Sequence, residues 1–289
     1  MAIAPGPGPQ PEGTMVNVGN EQIHLIELGD PNGKPLVFLH GGGPGGNAWT
    51  DFGMIVPFFQ DRRIIMPDLL GWGLSSYTPS NEPTWSRQSW HLNELLGMLG
   101  VENADFACSS QGGTASLTLA AEYPNRVRRT VISGSQPTFE TVGEDPAPGK
   151  AMALIQELFG GDGPDFESSK ALMAGLEWHD GSRIPDETVE LRLKQTLLPD
   201  TMAAWKDWSI RGARQDIGDL LPKIEAPVLM LWGKYDPFLS LEYAVWLCRQ
   251  IKNSDVYIMD KASHHGEEEW PADYSAIIKA FFEREAFGN

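Results

Sequence analysis

Positive charge is scarce in this chain. Its 289 residues hold 22 lysines and arginines against 39 aspartates and glutamates, a formal net charge of −17. Such a field repels DNA and RNA, and no Lys/Arg cluster stands out to override it. An anionic membrane surface is disfavoured for the same reason. Cysteine is nearly missing: Cys108 and Cys248 do not make a disulfide framework. The first lysine is Lys34 and the first arginine Arg62, so no basic targeting segment is read at the start. No apolar run approaches the ~18 residues of a membrane span. The expected compartment is a reducing cytoplasm.

Apolar residues, by contrast, make up 41% of the chain, enough for a large packed core and too many for global disorder. Residues 1–13 alternate prolines with glycines and read as a flexible tail that neither pairs nor packs. Beyond it, strand-like runs recur at 21–28, 35–40, 63–68, 104–109, 130–134, 226–233 and 256–260. Most are continuously apolar, as central strands of a parallel sheet covered on both faces are. Helical patterns lie between them. Leu92, Leu95, Leu96 and Leu99 share one face of a helix that Thr84 is placed to cap, and Tyr274, Ile277, Ile278, Phe281 and Phe282 repeat the spacing. Alternation of this kind predicts an α/β fold with a mostly parallel central sheet flanked by helices. From 136 to 222 no strand is read. That stretch, rich in Met, Leu and Trp, is expected to be a helical lid between core segments 14–135 and 223–289.

The chemistry concentrates at three loops. The run 104–109 passes into Ser110-Gln111-Gly112 and then a helix, the strand–turn–helix of a nucleophile elbow. The crowded turn needs small residues two positions either side of the nucleophile. Ser110 has Cys108 and Gly112 there, whereas Ser109 would face Gln111, so Ser110 is the candidate nucleophile. A serine needs a base and a group that orients it. Asp236 and the adjacent His264 and His265 each follow a predicted strand, in the order Ser, Asp, His. Spacing alone does not choose between the two histidines. His40-Gly41-Gly42-Gly43-Pro44-Gly45-Gly46 follows the run 35–40. With the N–H of Gln111, that of Gly42 would form an oxyanion hole. The glycine run lacks the Lys-Ser/Thr of a P-loop. No His, Cys or acidic cluster has metal-ligand spacing, so neither metal nor cofactor is expected.

These residues resemble the α/β-hydrolases over about 14–287. Leu39-His40-Gly41-Gly42-Gly43-Pro44-Gly45, with Trp49 after it, is similar to the meta-cleavage-product hydrolases, which cut a C–C bond in ring-fission products of aromatic catabolism. Pro67-Asp68-Leu69-Leu70-Gly71-Trp72-Gly73-Leu74-Ser75 resembles a stretch common to the wider superfamily. The resemblance implies His264 as the catalytic histidine, because Glu269 and Tyr274 fall at familiar offsets. It also implies a lid arginine holding the substrate's carboxylate, and maps it to Arg192. As a helix, that segment has Val189, Leu193, Thr196 and Leu197 as a stripe bordered by Arg192.

Three positions depart from the family: Ser109 and Asp51 stand where asparagine is usual, and His265 where tryptophan is. With Gly43 and Arg192 they make the expected polar end of the substrate site. An aspartate there repels a carboxylate unless it is protonated or paired with Arg192. The implied activity is C–C hydrolysis of a vinylogous diketone acid, with ester or lactone hydrolysis by the same residues as the alternative. The partner is a small molecule, and the resemblance allows a homo-oligomer. A binding-only protein is opposed by the intact set of Ser110, Asp236 and His264; a cofactor-free oxygenase would use a similar one.

Overall fold

In the computed structural model, which describes residues 3–147 and 149–284, the apolar runs become a single eight-stranded sheet. Its strands are β1 Thr14–Val18, β2 Glu21–Gly29, β3 Pro35–Leu39, β4 Arg63–Pro67, β5 Ala104–Ser109, β6 Val127–Ser133, β7 Val228–Gly233 and β8 Ser254–Met259. They lie in the order β1-β2-β4-β3-β5-β6-β7-β8. β2 runs antiparallel to both its neighbours; every other pairing is parallel. Ten α-helices are described: α1 Ala48–Phe52, α2 Thr84–Met98, α3 Gln111–Glu122, α4 Lys150–Phe159, α5 Phe166–Leu172, α6 Asp186–Thr196, α7 Pro199–Ala204, α8 Leu241–Gln250, α9 Gly266–Glu269 and α10 Pro271–Glu283.

Continuous apolarity in the inner strands has a direct cause. Successive side chains point to opposite faces, and both faces are covered. Val37, Leu39, Phe106, Cys108 and Trp232 join a core with Leu92 and Leu95 of α2, Leu117 of α3 and Tyr243 of α8. Leu36, Phe38, Ala107 and Leu231 join the other core, with Phe52 of α1 and Ile278 and Phe281 of α10. Phe106 is wholly buried, and truncating such a side chain to alanine costs about 3–5 kcal/mol.

Strand order fixes where a ligand goes. From β3 the chain moves to β4 on one side, and from β5 to β6 on the other. The carboxyl ends of β3 and β5 therefore flank a topological switch point, where open α/β sheets bind ligands. The glycine loop leaves β3 there, and Ser110 leaves β5.

Three expectations need correction. The first is the tail, which docks on the fold from Ala4 onward. Ala4 is buried among Met54, Met173, Trp178, Ile184 and Val189, and its N–H donates to the Arg183 carbonyl. The Trp49 indole N–H donates to the Gly8 carbonyl at 3.1 Å. Prolines deny the segment a regular ladder but leave its carbonyls and small side chains free to dock. The second is β1, which was not read as a strand. It is an edge strand exposed along most of its length, so it carries little apolar signal. The third is Thr84, which opens α2 rather than capping it, and whose hydroxyl donates to the Ala213 carbonyl.

Between β6 and β7 the described residues form helices and turns. Helix α6 lies against the glycine loop: Gly45, at φ +68°, leaves the space that the Arg192 carbonyl and Thr196 hydroxyl fill. Leu197, expected on the inner stripe, is half exposed; Thr188, Val189, Arg192, Gln195 and Thr196 face inward instead.

Candidate active site

The turn after β5 is tight. Ser110 has φ 50° and ψ −114°, and it is one of two non-glycine residues with positive φ among those described. A side chain in this region costs about 1–3 kcal/mol and persists only where its surroundings enforce it. Two bonds do so here. The Ser110 N–H donates to the Ser133 carbonyl of β6 at 2.6 Å, and the Ser110 carbonyl accepts from Gly113 at 3.1 Å. A Cβ on Gly112 would run into the Leu39 carbonyl, which explains the small residue two positions after the nucleophile. Ser109, the last residue of β5, is wholly buried and its hydroxyl has no hydrogen-bond partner.

Asp236 and His264 meet from the loops after β7 and β8. His264 Nδ1 lies 2.8 Å from Asp236 Oδ2. Asp236 Oδ1 accepts the N–H groups of Phe238 at 2.8 Å and Leu239 at 3.2 Å, so the carboxylate cannot turn away. With the carboxylate as acceptor, the ring proton is held on Nδ1 and the Nε2 lone pair is left free. The Phe238 ring covers the imidazole at 4.5 Å. Gly134, at φ +53° just beyond β6, is needed for space: a Cβ there would overlap the His264 ring and sit 3.0 Å from Asp236 Oδ2. Neither Phe238 nor Gly134 was singled out from sequence, although a glycine directly after a predicted strand was a usable signal.

Around the glycine loop, Gly42 faces the Gln111 side-chain amide, which a Cβ there would have to push aside. Gln111 is the first residue of α3, and its backbone N–H therefore has no partner within the helix. Gly41 faces Ser110: a Cβ on it would lie 3.2 Å from Ser110 Cβ and 3.4 Å from Asp51 Oδ2.

The expected polar end comes together, with a different balance of charge. Asp51, Arg192 and His265 are all buried, and two residues not assigned from sequence join them, Glu177 and Glu268. Arg192 Nη2 lies 2.7 Å from Glu268 Oε1 and 3.1 Å from Asp51 Oδ1, while Nη1 lies 3.6 Å from Glu177 Oε1. His265 Nδ1 is 2.7 Å from the same Glu268 oxygen. Gly43 borders the cluster, 3.2 Å from Glu177 Oε1 at its would-be Cβ. Arg192, expected to meet a substrate carboxylate, is thus already surrounded by three of the protein's own. Burial by itself would raise the Asp51 carboxyl; the charges of Arg192, His265 and His40 with the Gly41 N–H outweigh it and hold it low. Burial opposes charge on His265 too, but Glu177 and Glu268 carry it up to about 10.

Asp51, His265 and Glu268 also bring ligand atoms close enough for a metal ion, a cluster that sequence spacing did not reveal. Arg192 Nη2 is within 3.2 Å of an atom of each, so a guanidinium already takes the cation's place.

The acidic run Glu267-Glu268-Glu269 forms the first turn of α9, and all three residues are fully buried. Glu269 accepts the N–H groups of His179 and Asp180, and Glu268 accepts from Arg192 and the Trp178 indole. Glu267 has no hydrogen-bond partner, and His265 Nδ1 lies 3.7 Å away. Burial, with Glu268 and Asp51 nearby, pushes its carboxyl up to about 7 against the pull of His265.

The comparisons with known proteins agree with this architecture. A family model described as alpha/beta hydrolase fold matches residues 34–166. The 2-hydroxy-6-oxononadienedioate/2-hydroxy-6-oxononatrienedioate hydrolase of Burkholderia vietnamiensis is 28% identical over 93% of this chain and 94% of its own length. The 2-hydroxy-6-oxo-2,4-heptadienoate hydrolase of Pseudomonas putida is 28% identical over 94% of this chain and 97% of its own. Among solved structures, the 2-hydroxy-6-oxo-6-phenylhexa-2,4-dienoate hydrolase of a Rhodococcus species superposes with a TM-score of 0.80, at 21% identity over 94% and 99% of the two chains. A thermophilic esterase from Thermogutta terrifontis shares the same fold, with a TM-score of 0.74 at 19% identity over 94% and 98%. By strand order, elbow and these likenesses together, the chain has the α/β-hydrolase fold and is similar, over nearly its whole length, to the meta-cleavage-product hydrolases.

Proposed function

We propose that this protein is a serine-nucleophile hydrolase that cleaves a C–C bond in a vinylogous diketone acid, a diffusible ring-fission product, in the cytoplasm. The observation that carries the reading is the 2.8 Å pairing of His264 with Asp236 at the same sheet edge as the strained Ser110 elbow. The relatives named above support the substrate class. Among the described residues, no helix is long and apolar enough to cross a membrane.

In this reading Ser110, or water activated through Ser110 and His264, attacks the keto carbonyl. His264 takes the proton, and its charge is balanced by Asp236. The oxyanion forms against the backbone N–H groups of Gly42 and Gln111. Collapse expels the carbon leaving group, which receives the proton from His264. On the Ser110 route, water then releases the acid.

Ester or lactone hydrolysis by the same residues is the second reading, and the carboxylates around Arg192 favour it. A substrate carboxylate there would add a fourth anion to a cluster whose cations are Arg192 and His265, and uncompensated buried charge is costly. Turnover of coloured ring-fission dienones, set against aryl esters and lactones, decides between them. Bleaching of a dienone with kcat/KM far above ester turnover supports C–C hydrolysis. Ser110→Ala and His264→Ala should each lower kcat by about 10³-fold or more. Activity that survives both replacements on every substrate sinks the triad.

A further inference from the structure

The glycine loop that would form half of the oxyanion hole has little of its own to hold it. Between His40 and Asn47 it is glycine at every position except Pro44. Glycine loses more conformational freedom on ordering than any other residue, so a hole built from it needs an outside support. Two side chains supply it: His40 Nδ1 lies 2.6 Å from the Gly41 carbonyl, and the Gly41 N–H is held by Asp51. Its Oδ2 accepts the Gly41 N–H at 2.7 Å. Its Oδ1 accepts from the Thr50 hydroxyl at 3.0 Å and lies 3.1 Å from Arg192 Nη2. The guanidinium is itself enclosed by the loop. Its Nη1 lies 3.5 Å from the would-be Cβ of Gly43 and 3.6 Å from that of Gly46. Glu268 and Glu177 pair with it as well.

We infer that Asp51 and Arg192 are positioning residues of the oxyanion hole, an ion pair that ties helix α6 to the Gly41–Gly42 backbone, and that Arg192 is not the anchor for a substrate carboxylate. The inference rests on the assignment of Ser110, Gly42 and Gln111 made above. The Gly41 peptide directly precedes the Gly42 donor, and Gly41 itself faces Ser110 Cβ. Letting that peptide rotate displaces the donor from where the oxyanion develops. The effect therefore falls on the transition state of every substrate, charged or neutral.

The test uses the purified full chain with the substitutions D51N, D51A, R192K and R192Q. Each is assayed on the free acid and the methyl ester of one ring-fission dienone, and on p-nitrophenyl acetate. Tetrahedral adduct formation with a trifluoromethyl ketone is followed separately by fluorine NMR, a readout that needs no turnover. For D51A and R192Q we expect kcat to fall about 10–10²-fold on neutral and charged substrates alike, with KM within about threefold. Affinity for the ketone should weaken by the same factor. D51N still accepts the Gly41 N–H and should lose less than D51A. The inference is overturned if R192Q raises KM for the free acid alone while kcat on the neutral substrates and affinity for the ketone stay at the wild-type level. If D51A and R192Q fail to fold, D51N and R192K decide by the same two readouts. The functional reading fails differently, by turnover that persists in Ser110→Ala.

Discussion

Glu267 gives the sharpest test of the buried charge described above. It is fully buried, and neither carboxyl oxygen has a hydrogen-bond partner. Burial, then the neighbouring carboxylates, moves its carboxyl from 4.5 to about 7. A carboxyl whose folded value lies above its unfolded one favours folding while protonated. That contribution is complete below about pH 4.5 and is lost as pH rises through about 7. At about 1.4 kcal/mol per pH unit, the loss amounts to roughly 3 kcal/mol. Glu267→Gln keeps the shape and removes the ionisation. The variant should gain less than about 1 kcal/mol over wild type near pH 5 and about 3 kcal/mol by pH 8.5. Urea unfolding at a series of pH values measures the difference. Glu269 supplies the contrast, because its carboxylate accepts the N–H groups of His179 and Asp180. Glu269→Ala strands those donors and should cost about 1–3 kcal/mol. A Glu267→Gln profile that runs parallel to wild type, or falls below it at high pH, refutes the reasoning.

Three further outcomes are expected. Gly134→Ala puts a Cβ into the His264 ring at positive φ, so kcat should drop by about 10²-fold or more while the circular dichroism spectrum is unchanged. Ser110→Gly removes the strained side chain at the elbow: activity is abolished, yet urea unfolding should show a gain of about 1 kcal/mol, which Ser110→Ala does not give. Deleting residues 1–10 removes Ala4 from its cluster and the Gly8 carbonyl from Trp49, so the melting temperature should fall by a few degrees.

What the sequence made legible follows from the range of the forces involved. The inner strands were readable because burial on both faces makes them continuously apolar. Strand β1 was not, since an exposed edge demands only that its backbone pair. The elbow at Ser110 was readable because the turn imposes small neighbours, and Asp236 because chain order places an acid after a strand; His264 was separated from His265 only by the resemblance, and it is the one that pairs with Asp236. The environment of Arg192 was not. Its partners Asp51, Glu177 and Glu268 come from three separate segments, and their convergence is a product of tertiary packing. For Asp51 the sequence left protonation and pairing with Arg192 open, and the structure has the pair. Glu177, a lone acid in an apolar stretch, gave no local pattern to find.

The two ends of the described chain contact opposite ends of the strands. Residues 4–10 run against the insertion and the loop after β3, while Arg284 bonds to Asp255 at the start of β8 and offers its carbonyl to Arg129 at the start of β6. For handling the protein this asymmetry is practical. A fusion or purification tag joined at the front pulls on the segment that docks beside the catalytic face. A tether joined at the back holds the molecule by the opposite rim and leaves that face open to solution.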